Sequence, residues 1–357
     1  MPQAPCRLHA RVLRALADLS PANFAIVMAT GMLGVAAHQQ GHAAIARSML
    51  GVCAVAWPLL VVLSVARLAR HPGRMLADLC DHQRAPGFLT TVAGTCVLGS
   101  LLVVLDFGTA ASMVLGAVGC TLWLVLTYAV LMALTVGRNK PMLAGGISGA
   151  WLLTVVATQS MAVLAALLAP HTPQPARLVL NFGALAAWLC GGMLYVWVIS
   201  LIFYRLAFFG FAPQDLTPTY WINMGAMAIS ALAGGLLVVD ATGAPFLQGL
   251  LPFVKGGTVL YWAVGTWWIP LLLALIAWRL RHGPDPWRYD VGYWGAVFPL
   301  GMYSAATYQM SQVLGLRFLL PLARGFFWLA LASWLLTALG LLRHLLRVRA
   351  GAREAAA

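Results

Sequence analysis

Ionisable residues are almost absent from ten long intervals of this 357-residue chain, and their absence limits the possible fold more than any other feature. Each interval is about 20 residues long, the length that a helix needs to cross a hydrocarbon layer about 30 Å thick. Charged residues make up only 9% of the chain, against about 25% in soluble proteins. The sequence therefore predicts an all-α membrane protein with ten transmembrane helices. The predicted helices occupy 20–40, 45–66, 86–105, 109–136, 147–169, 178–204, 218–239, 258–278, 292–314 and 325–342.

The ten predicted helices group into five similar units, each opened by an aromatic residue. In every unit, a helix rich in small residues is followed by a second apolar helix that ends near basic residues. This pattern predicts that each unit is one membrane hairpin, giving five helical hairpins. The aromatic residues are Phe24, Phe88, Trp151, Trp221 and Trp294, at spacings of 64, 63, 70 and 73 residues.

The distribution of cations predicts the orientation. Of the 22 Lys and Arg residues, 17 lie on one predicted side, and loops rich in Lys and Arg remain in the cytoplasm. We therefore expect both termini in the cytoplasm and a location in the bacterial inner (plasma) membrane. The formal charge of +13 is explained by topology and by anionic lipid, so we expect the bilayer as a partner and no nucleic acid.

The chain is expected to form one domain. Residues 20–348 are predicted to be the transmembrane channel or transporter domain, and residues 349–357 a disordered tail. Residues 1–19 place Arg7, Arg11 and Arg14 at helical spacing beside apolar residues, which indicates an amphipathic cytoplasmic segment lying on the inner leaflet. A weakly ordered tail explains the same pattern, and no cleavable signal peptide is visible.

Metal, cofactor and enzyme sites are not predicted. The six cysteines form no Cys-x-x-Cys pair and are expected to pack as small apolar residues. His38 with His42, or the 78–82 loop, could in principle hold a metal, but a turn outside the membrane and a polar loop with helix capping explain them more simply. A membrane enzyme would need clustered His, Asp or Glu within the helices, and no such cluster is present, so we predict a protein that is not an enzyme.

Proton coupling is also not favoured, because it needs a titratable side chain inside the membrane. Asp106 and Asp240 fall at the predicted ends of helices three and seven, and Lys255 at the outer end of helix eight. Downhill permeation is therefore favoured over a proton-coupled mechanism.

The odd-numbered helices carry small and hydroxyl-bearing residues at related depths, which predicts a narrow pore lined by backbone and hydroxyls. Close helix packing explains the same residues, since Gly, Ala, Ser and Thr are enriched at all membrane helix contacts. One bulky residue, Phe298, interrupts the lining and is followed by Pro299, which should kink the helix and could hold the ring toward the axis. The candidate pore-lining residues are Phe24, Thr30, Gly31, Thr95, Thr158, Asn223, Gly301 and Ser304.

Four segments resemble one family of membrane proteins. SPANFAIVMATG at 20–31, TPTYWINMGA at 217–226, GTWWIPLLL at 265–273 and YWGAVFPLGMY at 293–303 are similar to the tellurite-resistance and C4-dicarboxylate transporter family, which includes malate permeases and plant slow-type anion channels. The resemblance covers about residues 18–348. It implies ten helices in five hairpins with pseudo-fivefold symmetry, in which the odd-numbered helices surround a central pore and the even-numbered helices lie outside. The resemblance also implies assembly as a homotrimer of separately conducting subunits.

The resemblance also implies a gate and a substrate class. In the family a phenylalanine of helix nine plugs the pore, and the FPL sequence places it at Phe298 here. Members pass chloride, nitrate or dicarboxylates such as malate. We therefore expect a channel or uniporter for small inorganic anions or organic acids; the alternative is a coupled C4-dicarboxylate or tellurite carrier with alternating access.

Overall fold

The computed structural model describes residues 16–282 and 289–354, with side chains as far as Arg347. Most of the predicted N-terminal segment lies outside this range. The all-helical prediction is confirmed: the described residues contain helices and turns and no strand. The ten long helices are α1 (Ala25–Gln39), α2 (Ala43–Arg70), α3 (Leu89–Val104), α4 (Thr109–Val136), α5 (Leu153–Leu168), α6 (Ala176–Phe208), α7 (Ile222–Val239), α8 (Pro245–His282), α9 (Trp294–Val313) and α10 (Leu320–Glu354).

Nine of the helices in the described residues are long and apolar enough to cross a membrane. The remaining long helix, α9, occupies the ninth predicted interval but contains Pro299 and a polar second half with Ser304, Thr307 and Gln309. Its lower hydropathy is the physical reason that composition alone supports nine spans and not ten.

Burial separates the helices into two layers. In the spans that contain α1, α3, α5 and α7, between 72% and 83% of the residues are buried. In the spans of α2, α4, α6, α8 and α10, only 11% to 39% are buried, and the exposed residues are mostly Leu, Val, Phe and Trp. An apolar surface of this extent is typical of helices that face lipid.

The inner helices form a closed ring. Helix α1 packs against α3, α3 against α5, α5 against α7 and α7 against α9, and α9 returns to pack against α1. Each outer helix packs mainly against the inner helix that precedes it in the sequence, and more weakly against the next inner helix. The core of the molecule is therefore the ring, and the outer helices shield it.

Several helix bounds differ from the predicted ones. All the outer helices except α4 extend beyond the charge-poor intervals, because their arginine-bearing ends remain helical. Helix α8 begins at Pro245 and includes Lys255, which is exposed. Helix α10 runs to Glu354, into the segment that we expected to be a tail. Charge therefore marks the membrane boundary and not the end of a helix.

A tryptophan of every outer helix donates its indole N–H to the inner helix of the next unit. Trp57, Trp123, Trp262 and Trp334 each donate to a threonine hydroxyl at 2.9 Å, and Trp188 donates to the Ser230 carbonyl at 2.8 Å. The acceptor hydroxyls belong to Thr95, Thr158, Thr307 and Thr30. This girdle of five hydrogen bonds fixes each outer helix to two inner helices.

Replacing one girdle tryptophan should weaken the fold. Trp262→Phe keeps the apolar ring but removes the donor to Thr307, so we expect the free energy of unfolding to fall by about 1 kcal/mol. Trp267→Phe on the same helix is the matched control, because Trp267 is 60% exposed. Reversible denaturation in mixed micelles measures both variants, and equal losses would contradict the role of the girdle.

Candidate functional site

The N-terminal ends of all five inner helices meet around one cavity of about 680 Å³. Each inner helix is preceded by a 3-10 turn: Pro21–Phe24, Ala85–Phe88, Gly149–Leu152, Pro218–Trp221 and Val291–Tyr293. Every one of these turns, or the residue before it, lines the cavity. The five inner helices therefore run parallel, with their N-termini at the same end. We call this cavity the vestibule.

The backbone gives the vestibule a positive potential. The N-terminus of a helix carries unpaired N–H groups and the positive end of its dipole, and five parallel helices place five such ends together. The side chain of Ser20 accepts a hydrogen bond from the backbone N–H of Ala22 at 3.3 Å, and that of Asp290 accepts one from the backbone N–H of Gly292 at 2.6 Å. The other three turns have no side-chain cap. Their N–H groups therefore have no side-chain acceptor.

Two arginines add positive charge at the vestibule wall. The guanidinium of Arg84 forms an ion pair with Asp78, with Nε 2.6 Å from Oδ1. Arg279 donates to the Leu216 carbonyl at 2.6 Å and has no carboxylate partner among the described residues. Asp290 is the carboxylate on the wall. The side chains thus leave the guanidinium of Arg279 available to an anion.

Tyr289 supplies a neutral donor at the same wall. Its hydroxyl accepts the indole N–H of Trp294 at 3.0 Å. Burial raises the pKa of the Tyr289 phenol, so the group remains protonated at neutral pH. A protonated phenol can donate a hydrogen bond to an anion.

The FPL segment of α9 lies within the core. Phe298 has an exposed fraction of 0%, so its ring is enclosed by protein. Pro299 packs directly on α7, since a Cβ atom added at Gly225 would lie 2.7 Å from its Cγ atom. Gly225 is therefore needed for α7 and α9 to approach each other at the level of Phe298.

The predicted hydroxyl lining has a different environment from the one that we expected. The hydroxyls of Thr30, Thr95 and Thr158 accept the girdle tryptophans, and therefore point toward outer helices. Ser304 donates to the Ala323 carbonyl of α10 at 2.8 Å and accepts from Gln40 at 2.9 Å. Their place in a pore wall stays a prediction.

The other predicted lining residues are buried between helices. A Cβ atom added at Gly31 would lie 2.5 Å from Val97 of α3, and one added at Gly301 would lie 3.4 Å from the Leu33 nitrogen of α1. The Asn223 carbonyl accepts the hydroxyl of Tyr195 at 3.1 Å, and its side-chain amide has no hydrogen-bond partner.

Phe24 has a position of its own. It is 3% exposed and borders a second cavity, between α2 and α4. The residues predicted to line the pore thus lie at several different helix contacts, and their place in one pore wall stays a prediction.

Sequence reasoning missed two features of this site. The cation distribution uses Arg84 and Arg279 only to predict the orientation, and it does not indicate that they line a cavity. The tryptophan girdle was missed although its signal is present: the five tryptophans recur at spacings of 66, 65, 74 and 72 residues, close to those of the opening aromatics. A repeat search of the even-numbered helices would have found it.

Known proteins are similar to this chain over most of its length. Residues 18–342 match a family described as voltage-dependent anion channels. An uncharacterized transporter of Methanocaldococcus jannaschii is 23% identical over 330 residues, which cover 89% of this chain and 90% of the relative. A second uncharacterized transporter of that organism is 23% identical over 287 residues, or 78% and 79% of the two chains.

A bacterial relative matches a shorter region. An uncharacterized membrane protein of Mycobacterium tuberculosis is 44% identical over 154 residues, which cover 43% of this chain and 77% of the relative. The matched family consists of membrane channels and transporters and not of enzymes. A family match over residues 18–342, together with nine candidate spans, makes this chain a multi-pass membrane protein of the voltage-dependent anion channel family.

Proposed function

We propose that this protein is an anion channel or uniporter that passes small inorganic anions or organic acids, including C4-dicarboxylates such as malate, down their electrochemical gradient. The observation that carries the proposal is the vestibule, in which five parallel helix N-termini and Arg279 create a positive entrance. The absence of Asp, Glu, Lys and Arg from the five inner helices agrees with weak ion binding, which permits rapid flux.

The proposed architecture has ten transmembrane helices in five hairpins with pseudo-fivefold symmetry around the ring axis. Helix α9 then brings the number of spans to ten, despite its polar half, because it completes the ring of inner helices. We further propose a homotrimer in a bacterial inner membrane, with both termini in the cytoplasm. The vestibule would then open to the cytoplasm, because the arginine-bearing ends of the outer helices lie at the same end.

The girdle hydrogen bonds support an alignment of the inner helices, and this alignment indicates which residues lie at the same depth as Phe298. Met28, Ala93 and Val156 each lie two residues before a contacted hydroxyl. In α9 the contacted hydroxyl, that of Thr307, is two helical turns further along, and Phe298 lies nine residues before it. In α7 the girdle acceptor is the Ser230 carbonyl, and the close approach of Gly225 to Pro299 supports a position of Gly225 beside Phe298. In this proposed register the five residues share one level, and Phe298 is the largest. We propose that Phe298, held by Pro299, closes the pore at this level.

The proposed pore wall is formed by the inner-helix segments that contain Phe24, Thr30–Gly31, Thr95, Thr158, Asn223 and Gly301–Ser304. Because several of their hydroxyls bind outer helices, these residues would act by setting the distance between the helices and less by contacting the ion. The small residues allow close approach, and the girdle limits it.

Anion flux should not require protons. Purified protein in liposomes is expected to pass chloride, nitrate or malate along an imposed anion gradient at equal internal and external pH, since no carboxylate or lysine lies within the inner helices. The measurements are anion uptake and internal pH on the same vesicles. Proton uptake in a fixed ratio to the anion would replace the channel with the coupled carrier, and unitary current steps in a planar bilayer would exclude that carrier.

The topology has a separate test. A reporter fused after Arg349 should be active in the cytoplasm, and one inserted near Thr172, in the turn between α5 and α6, should be active outside. The reason is the strong bias of cations to the ends of the even-numbered helices. Activity of both reporters on the same side would exclude the five spans proposed between them, and with them the proposed orientation.

A further inference from the structure

A smaller cavity, of about 170 Å³, adjoins the vestibule. We call it the side pocket. It lies between the C-terminal part of α8, the 3-10 turn that precedes α7 and the start of α9. Leu272, Ile276 and Leu280 of α8 line it, and because they recur every four positions they share one face of that helix. Trp221 of the turn and Ala296 of α9 also line it, so its wall is largely apolar.

A cation belongs to the wall of this pocket. Arg279 borders both the side pocket and the vestibule. One of its N–H groups donates to the Leu216 carbonyl at 2.6 Å, and no carboxylate in the described part of the chain lies within ion-pair distance of it. A guanidinium carries five N–H donors, so several remain for a ligand. The side pocket therefore combines an apolar space with a positive charge at its boundary with the vestibule.

Two hydroxyls lie at the same boundary. The Oγ1 atoms of Thr217 and Thr219 are 2.8 Å apart, and both residues line the vestibule, while Thr217 also lines the side pocket. Only one of the two hydroxyls can donate in this contact, so the hydrogen of the other is available to a second acceptor. A carboxylate has two acceptor oxygens, and a guanidinium together with a hydroxyl offers donors to both.

The size of the side pocket limits the apolar part of a ligand. A cavity of about 170 Å³ holds roughly six water-sized groups, at about 30 Å³ each, and a methylene group is of that size. A ligand that extends into the pocket must be uncharged at that end, because an unpaired charge in an apolar pocket loses its hydration. The fitting chemistry is an aliphatic chain of about six carbons with a single carboxylate at one end.

We propose that the side pocket binds an aliphatic monocarboxylate of about seven carbons, with its carboxylate on Arg279 and its chain against α8, and that the bound molecule obstructs anion flow through the vestibule. The carboxylate would occupy the positive charge that the vestibule offers to a permeating anion. Obstruction rests on the proposed transport function, whereas binding rests only on the side pocket and Arg279. The two are therefore measured separately.

Affinity should depend on chain length up to the size of the side pocket. Equilibrium dialysis of labelled carboxylates against the full chain in nanodiscs, corrected for uptake by empty nanodiscs, measures that affinity. Each methylene from butanoate to heptanoate should tighten binding about threefold to fourfold, because it leaves water for an apolar wall, and decanoate should bind little more tightly than heptanoate. Heptanedioate, which has the same number of carbons but a second carboxylate, should bind at least about tenfold more weakly than heptanoate.

Two variants alter the two halves of the site separately. Ala296→Leu fills part of the side pocket and should remove the gain from butanoate to heptanoate, whereas Ala274→Leu, on the exposed face of α8, is the matched control and should keep it. Arg279→Gln should weaken butanoate and heptanoate alike, by about tenfold, and should keep the gain with chain length. Arg281→Gln, an exposed arginine of the same helix that lines neither cavity, is the control for charge.

A larger pocket should accept a longer chain. Ile276→Ala removes most of a side chain from the α8 wall, so decanoate should bind this variant at least about fivefold more tightly than heptanoate does. This variant tests the size of the pocket even if Ala296→Leu does not fold.

Current measures the obstruction. Heptanoate added on the vestibule side of a planar bilayer should reduce the chloride current of the parent and of Arg281→Gln, and should reduce that of Ala296→Leu much less. Heptanoate binding by a parent protein that passes no chloride would contradict the proposed transport function and leave the binding site standing. Chloride current without heptanoate binding would overturn the site and leave the transport function standing.

Four further results would overturn the proposal. Equal affinity for butanoate and heptanoate in the parent would show that no chain enters the side pocket. Unchanged heptanoate affinity in Arg279→Gln would remove the carboxylate from that guanidinium. Heptanoate that binds the parent without reducing its chloride current would exclude obstruction. Much tighter heptanoate binding in Trp287→Ala would assign the side pocket to the 283–288 segment of the chain itself.

Discussion

Phe298→Ala is expected to raise anion current by at least about tenfold, which corresponds to a barrier lowered by about 1.4 kcal/mol. In the proposed register the ring is the largest side chain at the level that it shares with Met28, Ala93, Val156 and Gly225. Because an apolar constriction opposes a hydrated ion, removing the ring should ease passage. Current per purified protein in a planar bilayer measures the change, and Phe298→Leu should give an intermediate value.

Phe327→Ala is the matched control for this prediction. Phe327 also has an exposed fraction of 0%, but it lies on the outer helix α10 and stacks on His42 with ring centres 5.0 Å apart. Its truncation should cost about 3 to 5 kcal/mol of stability without raising the current. If Phe298→Ala behaves in the same way, with lost stability and no added current, the ring is a packing residue and the constriction lies elsewhere.

The helical class could be predicted from the sequence, because it follows from the spacing of apolar and charged residues, whereas the separation into two layers was implied by the resemblance to a known family. The opening aromatics also marked the starts of the inner helices, although each start proved to be a 3-10 turn. The direction of the hydroxyls of Thr30, Thr95 and Thr158 could not be predicted in this way. Small residues at one depth are needed both for a narrow pore and for close packing, so the pattern alone does not distinguish them.

The register at the constriction shows a similar limit. Counting from the opening aromatics favours Val92 and Val155 as the residues opposite Phe298, whereas the girdle hydrogen bonds favour Ala93 and Val156. A shift of one residue turns a side chain by about 100° around the helix axis. Long-range hydrogen bonds such as that of Trp262 to Thr307 determine the rotation, and the sequence of one helix does not contain that information.

Loss of the Asp240 carboxylate is expected to give the largest fall in stability among single polar substitutions in the described residues. Asp240 is 3% exposed at the end of α7 and receives hydrogen bonds from Arg177 and, at 2.7 Å, from Asn181. Asp240→Ala would leave both donors of α6 without their acceptor. Removing one partner of a buried ion pair costs about 3 to 5 kcal/mol, and the partial exposure of Arg177 favours the lower end.

Asp18→Ala provides the comparison, because the Arg74–Asp18 pair is similar in chemistry but its side chains are 62% and 70% exposed. An exposed pair contributes at most about 1 kcal/mol, so this variant should lose little stability. Denaturation in mixed micelles should separate the two variants, and a double-mutant cycle with Arg177→Ala should show that the two losses in the buried pair are not additive.

Anion current per folded Asp240→Ala protein should remain that of the parent, because the pair joins α6 and α7 at the end opposite the vestibule. Equal stability losses in Asp240→Ala and Asp18→Ala would show that burial does not strengthen the pair, and a loss of current in the folded protein would place Asp240 on the path of the ion.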